Sequence, residues 1–403
     1  MRKSWIALAL VFCCAAPAFA MDVTVPDAGL RLQIYGYVRA DLSHDTQATA
    51  PKGDFAFFVL PEADGEKDAQ THFGARESRL GLNLSGPDSG NWKTTGKFEM
   101  DFYGGDKANS YNPRMRLAYL DLAHASGLSL RFGQDWDTFC ELMPRIVNFA
   151  YLADIGALGL RRPQARATQE LKLAENTKLV AKVAAAQTVG EDLDGGTFED
   201  GADADWPTVQ WSVALLQKLW TEKSAKVAFG GHYGRETVDG VEKTATTNAF
   251  GTVTEVARVI ETDATDYDTW SAQGSIFLPL TKQFAVQANI WKGENLDTYY
   301  GGIGQGVNVA LGREIEAQGG WAQLLWDPTD KLAFGFGYSV DDPKDEDLAE
   351  GRPSKNEQIF GNVAYKLTPA VTAMAEYAHM TTDYLGKDEA VNDRVQLAMK
   401  YAF

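Results

Sequence analysis

The last ten residues, Arg394–Phe403, read RVQLAMKYAF and decide the fold. Large apolar side chains recur at every second position of this stretch: Val395, Leu397, Met399, Tyr401 and Phe403. Successive side chains of a β-strand point to opposite faces, so the segment predicts a strand with one apolar face, one polar face and a terminal aromatic residue. Such an ending is typical of bacterial outer-membrane barrels. The alternative is the terminal strand of a soluble sandwich.

The other end of the chain predicts an export signal. Arg2 and Lys3 precede an uncharged run at 5–16, and the small-x-small site Ala18-Phe19-Ala20 follows. We therefore predict that residues 1–20 are a signal peptide. The run is too short for a membrane-spanning helix, and no later stretch approaches the roughly 20 apolar residues that such a helix needs.

Two-faced segments like the last one recur along the whole chain. About sixteen are predicted, near 30–42, 78–85, 92–103, 113–122, 127–134, 162–174, 178–188, 207–219, 225–235, 267–280, 284–293, 315–326, 331–340, 356–367, 371–381 and 394–403. An even number of antiparallel strands suits a closed bacterial barrel, and about sixteen strands enclose an aqueous channel. The sequence therefore predicts an all-β fold, a transmembrane antiparallel β-barrel, with residues 21–403 as a single domain.

The predicted connections alternate between short turns and long loops, which is the periplasmic and extracellular asymmetry of such barrels. The long connections fall at 44–75, 135–161, 189–206, 236–266, 294–314, 341–355 and 382–393. Several are strongly acidic, as at 191–194 and 341–347. They are either simple solvated loops or sites where divalent ions bridge to lipopolysaccharide phosphates. Lipid and lipopolysaccharide are therefore predicted surroundings of the barrel.

Charge and motifs exclude several classes of function. The chain carries 38 Lys and Arg against 55 Asp and Glu, an acidity that argues against nucleic acid as a partner. No nucleophile elbow, zinc-protease motif or phosphate-binding loop occurs, and the five histidines show no ligand spacing. The sequence therefore predicts neither a catalytic site nor a metal site nor a cofactor.

Cations cluster on the predicted lumen-facing positions of the first six strands. They are Arg39, Arg79, Arg114, Arg116, Arg131, Arg162 and Arg166, with Lys93 and Lys97. Consecutive strands are neighbours in a meander barrel, so these side chains predict one basic wall. Its arginine forks suit the two oxygens of a carboxylate or phosphate. The alternative is that the arginines pair with neighbouring carboxylates. Lys400 is expected to lie far from this wall.

The third long connection, 135–161, is predicted to form the constriction. It is rich in apolar residues, which favours a loop folded into the lumen over one that caps the mouth. Four carboxylates on it are expected to face the basic wall and to set up a transverse field: Asp135, Asp137, Glu141 and Asp154. Opposed charges of this kind orient an anionic or dipolar solute.

Three classes of function remain open: a porin for passive diffusion, an outer-membrane hydrolase, and an adhesin or structural anchor. A hydrolase needs a nucleophile beside a histidine, which the sequence does not offer. An adhesin predicts a filled lumen, whereas the inward positions of one strand are small: Ala333, Gly335, Gly337 and Ser339. The pattern therefore favours an open pore for small hydrophilic solutes, anions in particular. A channel for another solute class, such as phosphate or sugar, is the alternative.

Four motifs resemble those of the DcaP-like trimeric porins, outer-membrane channels associated with dicarboxylic acids. They are Ile34-Tyr35-Gly36-Tyr37-Val38-Arg39, Ser78-Arg79-Leu80-Gly81-Leu82, Gly133-Gln134-Asp135-Trp136-Asp137-Thr138-Phe139 and Arg162-Pro163-Gln164-Ala165-Arg166. The resemblance is strongest over residues 30–170. It implies a sixteen-stranded homotrimer, a third loop folded into each pore and an arginine-lined path for carboxylates.

Overall fold

The computed structural model describes residues 21–25, 29–51, 53–62, 67–105, 111–190, 201–202, 204–247 and 253–403. The predicted signal peptide and the acidic run at 191–194 lie outside the described residues. The described strands are β1 Met21–Val25, β2 Leu30–Asp45, β3 Thr49–Ala50, β4 Phe58–Val59, β5 Gln70–Gly74, β6 Arg79–Ser85, β7 Trp92–Asp101, β8 Arg114–His124, β9 Leu128–Trp136, β10 Arg161–Ala174, β11 Thr177–Ala186, β12 Thr208–Lys218, β13 Ser224–Thr247, β14 Val253–Pro279, β15 Phe284–Glu294, β16 Val307–Asn308, β17 Arg313–Glu314, β18 Glu316–Trp326, β19 Leu332–Pro343, β20 Pro353–Lys366, β21 Val371–Tyr384 and β22 Lys387–Ala402.

The predicted barrel of sixteen antiparallel strands is confirmed. Its first wall strand, β2, pairs with the last, β22, with Tyr37 opposite Ala402. Two hydrogen bonds finish the closure: the Gly36 N–H donates to the Phe403 carbonyl at 3.1 Å, and the Phe403 N–H donates back at 3.0 Å. The strands β5 and β6 both pair with β2 and together make the second wall strand. Closure of the sheet on itself eliminates the soluble sandwich.

The alternation that the sequence shows is visible in the wall. Along β22 the apolar side chains Val395, Leu397 and Met399 are exposed on the outside. Arg394 and Gln396 are buried on the inside. A polar inner face and an apolar outer face are what a lipid-facing barrel requires. Among the described residues, no helix is long and apolar enough to cross a membrane.

Two predicted long connections are wrong. The stretch 236–266 largely continues β13 and β14, which run as a hairpin to Thr247 and from Val253. Its many Thr and Val residues favour extended strands, which explains the length. The stretch 382–393 holds only a two-residue turn between β21 and β22. Gly386 gives this turn its positive φ of 71°. Its acidic residues made the segment look like a loop.

The third loop, residues 137–160, lies inside the barrel. The Trp291 indole N–H donates to the carbonyl of Gly156 at 2.8 Å, and Arg145 forms an ion pair at 2.6 Å with Asp327 in the turn between β18 and β19. Part of the first loop joins it. Loop and wall residues together build an apolar core, with Ala56, Val59, Leu152 and Ile155 from the loops and Trp321, Phe360, Ala378, Met380, Tyr384 and Ala390 from the wall. The lumen is therefore partly filled by loops.

The small inward residues of β19 do not mark open pore, which corrects the prediction made from them. Ser339 is fully buried. A Cβ added to Gly335 would come within 2.6 Å of the Gln323 amide nitrogen, and one added to Gly337 would strike the ring of Phe360. These positions are small because neighbouring inward side chains occupy the space above them.

Candidate functional site

The predicted cations lie on adjacent strands of the wall. Strand pairing runs from β2 through β6, β7, β8 and β9 to β10, and each of these strands contributes at least one of them. The structure also gives each arginine of the set a carboxylate partner within 3.5 Å. The basic wall is therefore a network of arginines and carboxylates, as the alternative interpretation of the sequence held.

At the centre of the network, three arginines share two carboxylates. Arg116 lies 3.0 Å from Glu99 and 2.9 Å from Asp101. Arg79 approaches Glu99 at 3.5 Å, and Arg114 contacts Asp101 at 2.8 Å. Arg116 is almost fully buried, whereas 15% of the Arg79 side chain and 33% of the Arg114 side chain are exposed. We call these three arginines, together with the two carboxylates that they share, the arginine triad. The triad carries one excess positive charge.

Two tyrosines of β2, to which the sequence analysis gave no role, support the triad. Tyr35 lies flat across the wall and donates a hydrogen bond to Glu99 at 2.9 Å. It can do so because Gly81 stands beneath its ring, where any Cβ would collide with it. Tyr37 presents its ring to the Arg79 guanidinium, 5.2 Å from the ring centre. These contacts hold Glu99 and Arg79 in place.

Lys400 lies beside the basic wall, so the prediction that it is remote is wrong. Its register partner across the closing pair is Arg39, and its ammonium nitrogen is 5.5 Å from the ring centre of Tyr37. Barrel closure brings the two ends of the chain together, which explains the error. Lys97 similarly lies 5.0 Å from the ring centre of Tyr35.

The predicted lysines lack carboxylate partners. Lys93, Lys97 and Lys400 make no ion pair with any residue that the structure describes. Lys93 and Lys97 lie on β7, toward the turn that joins β6 and β7. Unlike the arginines, these ammonium groups leave their positive charge uncompensated by a contacting carboxylate.

The flank of the wall on β9 and β10 is charge-balanced. Arg131 contacts Asp121 at 2.7 Å and Asp135 at 2.6 Å, and Arg166 shares Asp135 at 2.8 Å. Asp135 therefore contacts the arginines from β9 of the wall itself, not from the loop on which the sequence analysis placed it. Two arginines against two carboxylates leave no excess charge here.

Arg39 and Arg162 anchor loops. Arg39 contacts Asp41 at 2.7 Å and Glu77 at 2.6 Å, and it donates a hydrogen bond to the carbonyl of Val147 on the third loop at 2.6 Å. It therefore ties that loop to the wall.

Arg162 is 1% exposed and pairs with Asp137 at 2.7 Å. Its guanidinium covers the ring of Tyr299 at 3.9 Å and donates to the carbonyl of Thr298 at 3.1 Å. Asp137 in turn accepts a hydrogen bond from the backbone N–H of Leu160 at 2.7 Å. Arg162 thus joins both ends of the third loop to the connection that follows β15 rather than facing a solute.

Glu141 does not face the arginines, contrary to the prediction. It contacts Lys182 at 2.6 Å on β11 and also Lys226 on β13. Burial alone would raise the pKa of Glu141, but the two ammonium groups lower it below its ordinary value. The loop carries Glu141 away from the basic wall because its strand partners lie on the other side of β10.

Asp154 also turns away from the arginines, which is a second correction. It is 4% exposed, and its backbone N–H donates to the carbonyl of Tyr300 at 2.9 Å. Burial raises the pKa of Asp154 to about 8; the N–H of Gly304 opposes this shift and Asp297 adds to it. A buried carboxyl without a cation is held in its neutral form. Asp154 therefore contributes no charge to a transverse field near neutral pH.

This burial predicts a pH dependence of stability. Because the folded pKa of Asp154 is about 8 and the ordinary value is 3.8, its contribution is complete below about pH 4 and is lost as the pH rises toward 8. The loss is about 1.4 kcal/mol per pH unit in that window. We expect Asp154→Asn to lose less stability between pH 5 and pH 8 than the unmodified protein, measured as the temperature of barrel unfolding. Asp330→Asn, at an exposed turn, is the control. Equal pH dependence in all three proteins would contradict the assignment.

Metal chemistry has no support in the described part of the chain, where no three His, Cys, Asp or Glu side chains are grouped to hold an ion. The site is an array of fixed charges in a lumen. Such an array can attract, orient and pass an ionic solute.

Comparison with known proteins supports the class of the barrel. The family model described as Gram-negative porin matches residues 5–385. No curated protein sequence matches the chain significantly.

Several solved structures share the fold. The outer membrane channel DcaP of Acinetobacter baumannii superposes with a TM-score of 0.71 at 19% identity, covering 96% of this chain and 100% of that one. The trimer form of OmpT from Vibrio cholerae gives 0.53 at 14% identity, covering 93% and 99%. OmpF of Salmonella typhi, in complex with daunomycin, gives 0.53 at 12%, covering 95% and 100%. At these identities the likeness concerns the fold alone.

Proposed function

This chain belongs to the Gram-negative porins, and from that premise we propose that its channel favours small anions, dicarboxylates above all. It is an outer-membrane β-barrel protein, as the sequence predicts. Passive diffusion of small hydrophilic solutes follows from this class of protein. The preference among solutes rests on the arrangement of charges in the lumen.

The arginine triad is the observation that carries the proposal. Three guanidinium groups face two carboxylates, so the triad itself carries one excess positive charge. Arg79 and Arg114 have exposed surface, and each makes a single ion pair. A solute with two carboxylates can engage both arginines at once, because each guanidinium fork has donors to spare.

The other charged residues take positioning roles in this proposal. Arg116 holds Glu99 and Asp101, while Arg39 and Arg162 hold the third loop that narrows the lumen. The unpaired ammonium groups of Lys97 and Lys400 add positive charge beside Tyr35 and Tyr37. An anion would then meet excess positive charge at the triad and at the two lysines beside it.

We propose that the working unit is a homotrimer. The trimer form of OmpT, which shares the fold, supports this assembly, as does the family resemblance read from the sequence. Light scattering of the detergent-solubilised protein measures the oligomer mass. A monomeric mass would reject the trimer without touching the selectivity proposal.

Block of single-channel current by succinate tests the solute preference. We expect a dissociation constant on the order of 0.1–10 mM, because a channel must release what it binds. Monomethyl succinate, which keeps one carboxylate, is the matched control and should block at least about tenfold more weakly if both arginines are engaged. Equal block by the two compounds would contradict a site for two carboxylates.

A further inference from the structure

Six buried amide side chains form a belt on the inner wall, on strands from β10 to β20. They are Gln164, Gln210, Gln273, Gln287, Gln323 and Asn362, each at most 6% exposed. We call this set the amide belt. Every member makes a hydrogen bond to the third loop. The proposed function gives these residues no role, because none of them carries a charge.

The first contacts of the series lie on β12 and β14. The backbone N–H of Thr138 donates to the side-chain oxygen of Gln210 at 2.7 Å. The carbonyl of the next residue, Phe139, accepts a hydrogen bond from the side-chain nitrogen of Gln273. Both contacts are made to the backbone of the loop. They therefore do not depend on which side chains the loop carries at these positions.

The series continues on β15, β18 and β20. The carbonyl of Met143 accepts a hydrogen bond from Gln287 at 3.3 Å. Gln323 accepts the N–H of Arg145 at 2.9 Å and donates back to the carbonyl of the same residue, as a neighbouring strand would. That carbonyl also accepts from Asn362 at 2.8 Å. Loop residues with higher numbers thus contact strands further around the wall, so this part of the loop follows the wall as an arc.

The arc lies across the lumen from the arginine triad. When β5 and β6 are counted as one wall strand, β7 is the third and β15 the eleventh of the sixteen. The middle of the arc, on β15, is therefore half the barrel away from the middle of the triad, on β7. Beyond the belt, Glu376 of β21 accepts the N–H groups of Val147 at 2.7 Å and Asn148 at 3.0 Å.

We propose that the amide belt positions the third loop: it holds the arc against the wall opposite the arginine triad and so keeps the passage beside the triad open. A buried loop must find partners for its backbone N–H and carbonyl groups, and the belt supplies them on the wall. An amide offers both a donor and an acceptor without a charge. The belt therefore holds the loop without adding a charge that competes with the triad.

Cys140 gives the arc a natural reporter. It follows Phe139, whose carbonyl Gln273 holds, and its thiol lies 3.5 Å from the carbonyl of Leu158. A Cβ added to Gly159 would strike the sulfur, so the thiol is closely packed. Cys140 is the only cysteine after the predicted signal peptide. Movement of the arc away from the wall would expose this thiol to a reagent in the lumen.

The rate at which a maleimide modifies Cys140 in the solubilised protein tests the proposal. Gln273→Leu with Gln323→Leu removes belt contacts on both sides of Cys140 and keeps side chains of similar size. We expect the rate to rise about tenfold or more, because the change leaves buried backbone groups of the arc without partners. Single-channel current should become noisier, since the arc then moves within the lumen.

The matched control replaces two amides of the wall that bond elsewhere. Gln217 and Gln318 contact Thr177 and Asp342, and Gln217→Leu with Gln318→Leu should change neither the rate nor the current noise. Electrophoretic mobility before heating shows that each variant is folded. If the double belt variant does not fold, Gln273→Leu alone should still raise the rate, by about three- to tenfold.

An unchanged modification rate and a steady current in a folded belt variant would overturn the proposal. The hold on the loop would then belong to the charged residues Arg39, Arg162 and Glu376. The proposal rests on the chain being a porin and not on its preference for anions. A reversal potential that reports cation selectivity would reject that preference and leave the maleimide result unaffected.

Discussion

Channels in which Arg79 and Arg114 are both replaced by Gln are expected to lose their preference for anions and to bind succinate about tenfold or more weakly. The change converts a triad with one excess positive charge into a site with one excess negative charge. The barrel should still fold, because Glu99 and Asp101 keep their contacts with Arg116 at 3.0 and 2.9 Å. Reversal potential and succinate block, measured on the same single channels, give both readouts.

The matched control removes two cations from the outside of the barrel. Lys292 and Lys355 each pair with a glutamate, at 3.0 and 2.9 Å, and neither belongs to the lumen network. Lys292→Gln with Lys355→Gln makes the same change in net charge and should leave block and selectivity as they are. If the two double variants behave alike, net charge rather than the triad sets the selectivity.

Arg162→Ala is expected to cause the largest loss of stability of any single arginine change in the wall. The substitution leaves Asp137, which is 2% exposed, as a buried carboxylate without its cation. Breaking a buried pair in this way costs about 3–5 kcal/mol. The substitution also removes the hydrogen bond to the carbonyl of Thr298, so the third loop should separate from the connection that contains Thr298. The temperature at which the barrel unfolds, read by electrophoretic mobility after heating, measures the loss.

Two companion variants show whether the cause is the uncompensated charge. Arg162→Ala with Asp137→Asn removes both charges and should recover part of the lost stability. Arg166→Ala should cost less than Arg162→Ala, because Asp135 keeps Arg131 at 2.6 Å as its partner. If Arg166→Ala lowers the unfolding temperature as much as Arg162→Ala does, burial of the Arg162–Asp137 pair does not explain the loss of stability.

Alternation along the chain was sufficient to predict the sixteen wall strands and their closure. A period of two assigns each side chain to a face, as Val395 and Gln396 show on β22. The same alternation placed Arg39, Arg79 and Arg116 on one wall, where β2 pairs with β6 and β7 joins β6 to β8. Face and strand order are local properties, so a single sequence contains them.

Partners across space are not local, and there the sequence analysis failed. Strand register decides that Lys400 stands opposite Arg39, and loop packing decides that Glu141 meets Lys182. The sequence analysis did not count Arg161 among the cations of the lumen, because its position on β10 alternates with inward-facing residues. The first and third loops nevertheless form a cavity beside it. The length of the β13–β14 hairpin was underestimated because charged residues interrupt its apolar pattern.

The reversal potential of the unmodified channel under a gradient of potassium chloride tests the central claim most directly. The sign of the potential reports which ion passes more freely, whatever the conductance. The arginine triad has an excess positive charge, and Lys97 and Lys400 are unpaired. We therefore predict a reversal potential whose sign is that of a chloride-selective channel. A potential of the sign for potassium selectivity would show that the acidic loops or the wall carboxylates dominate the lumen, and would contradict the proposed anion path.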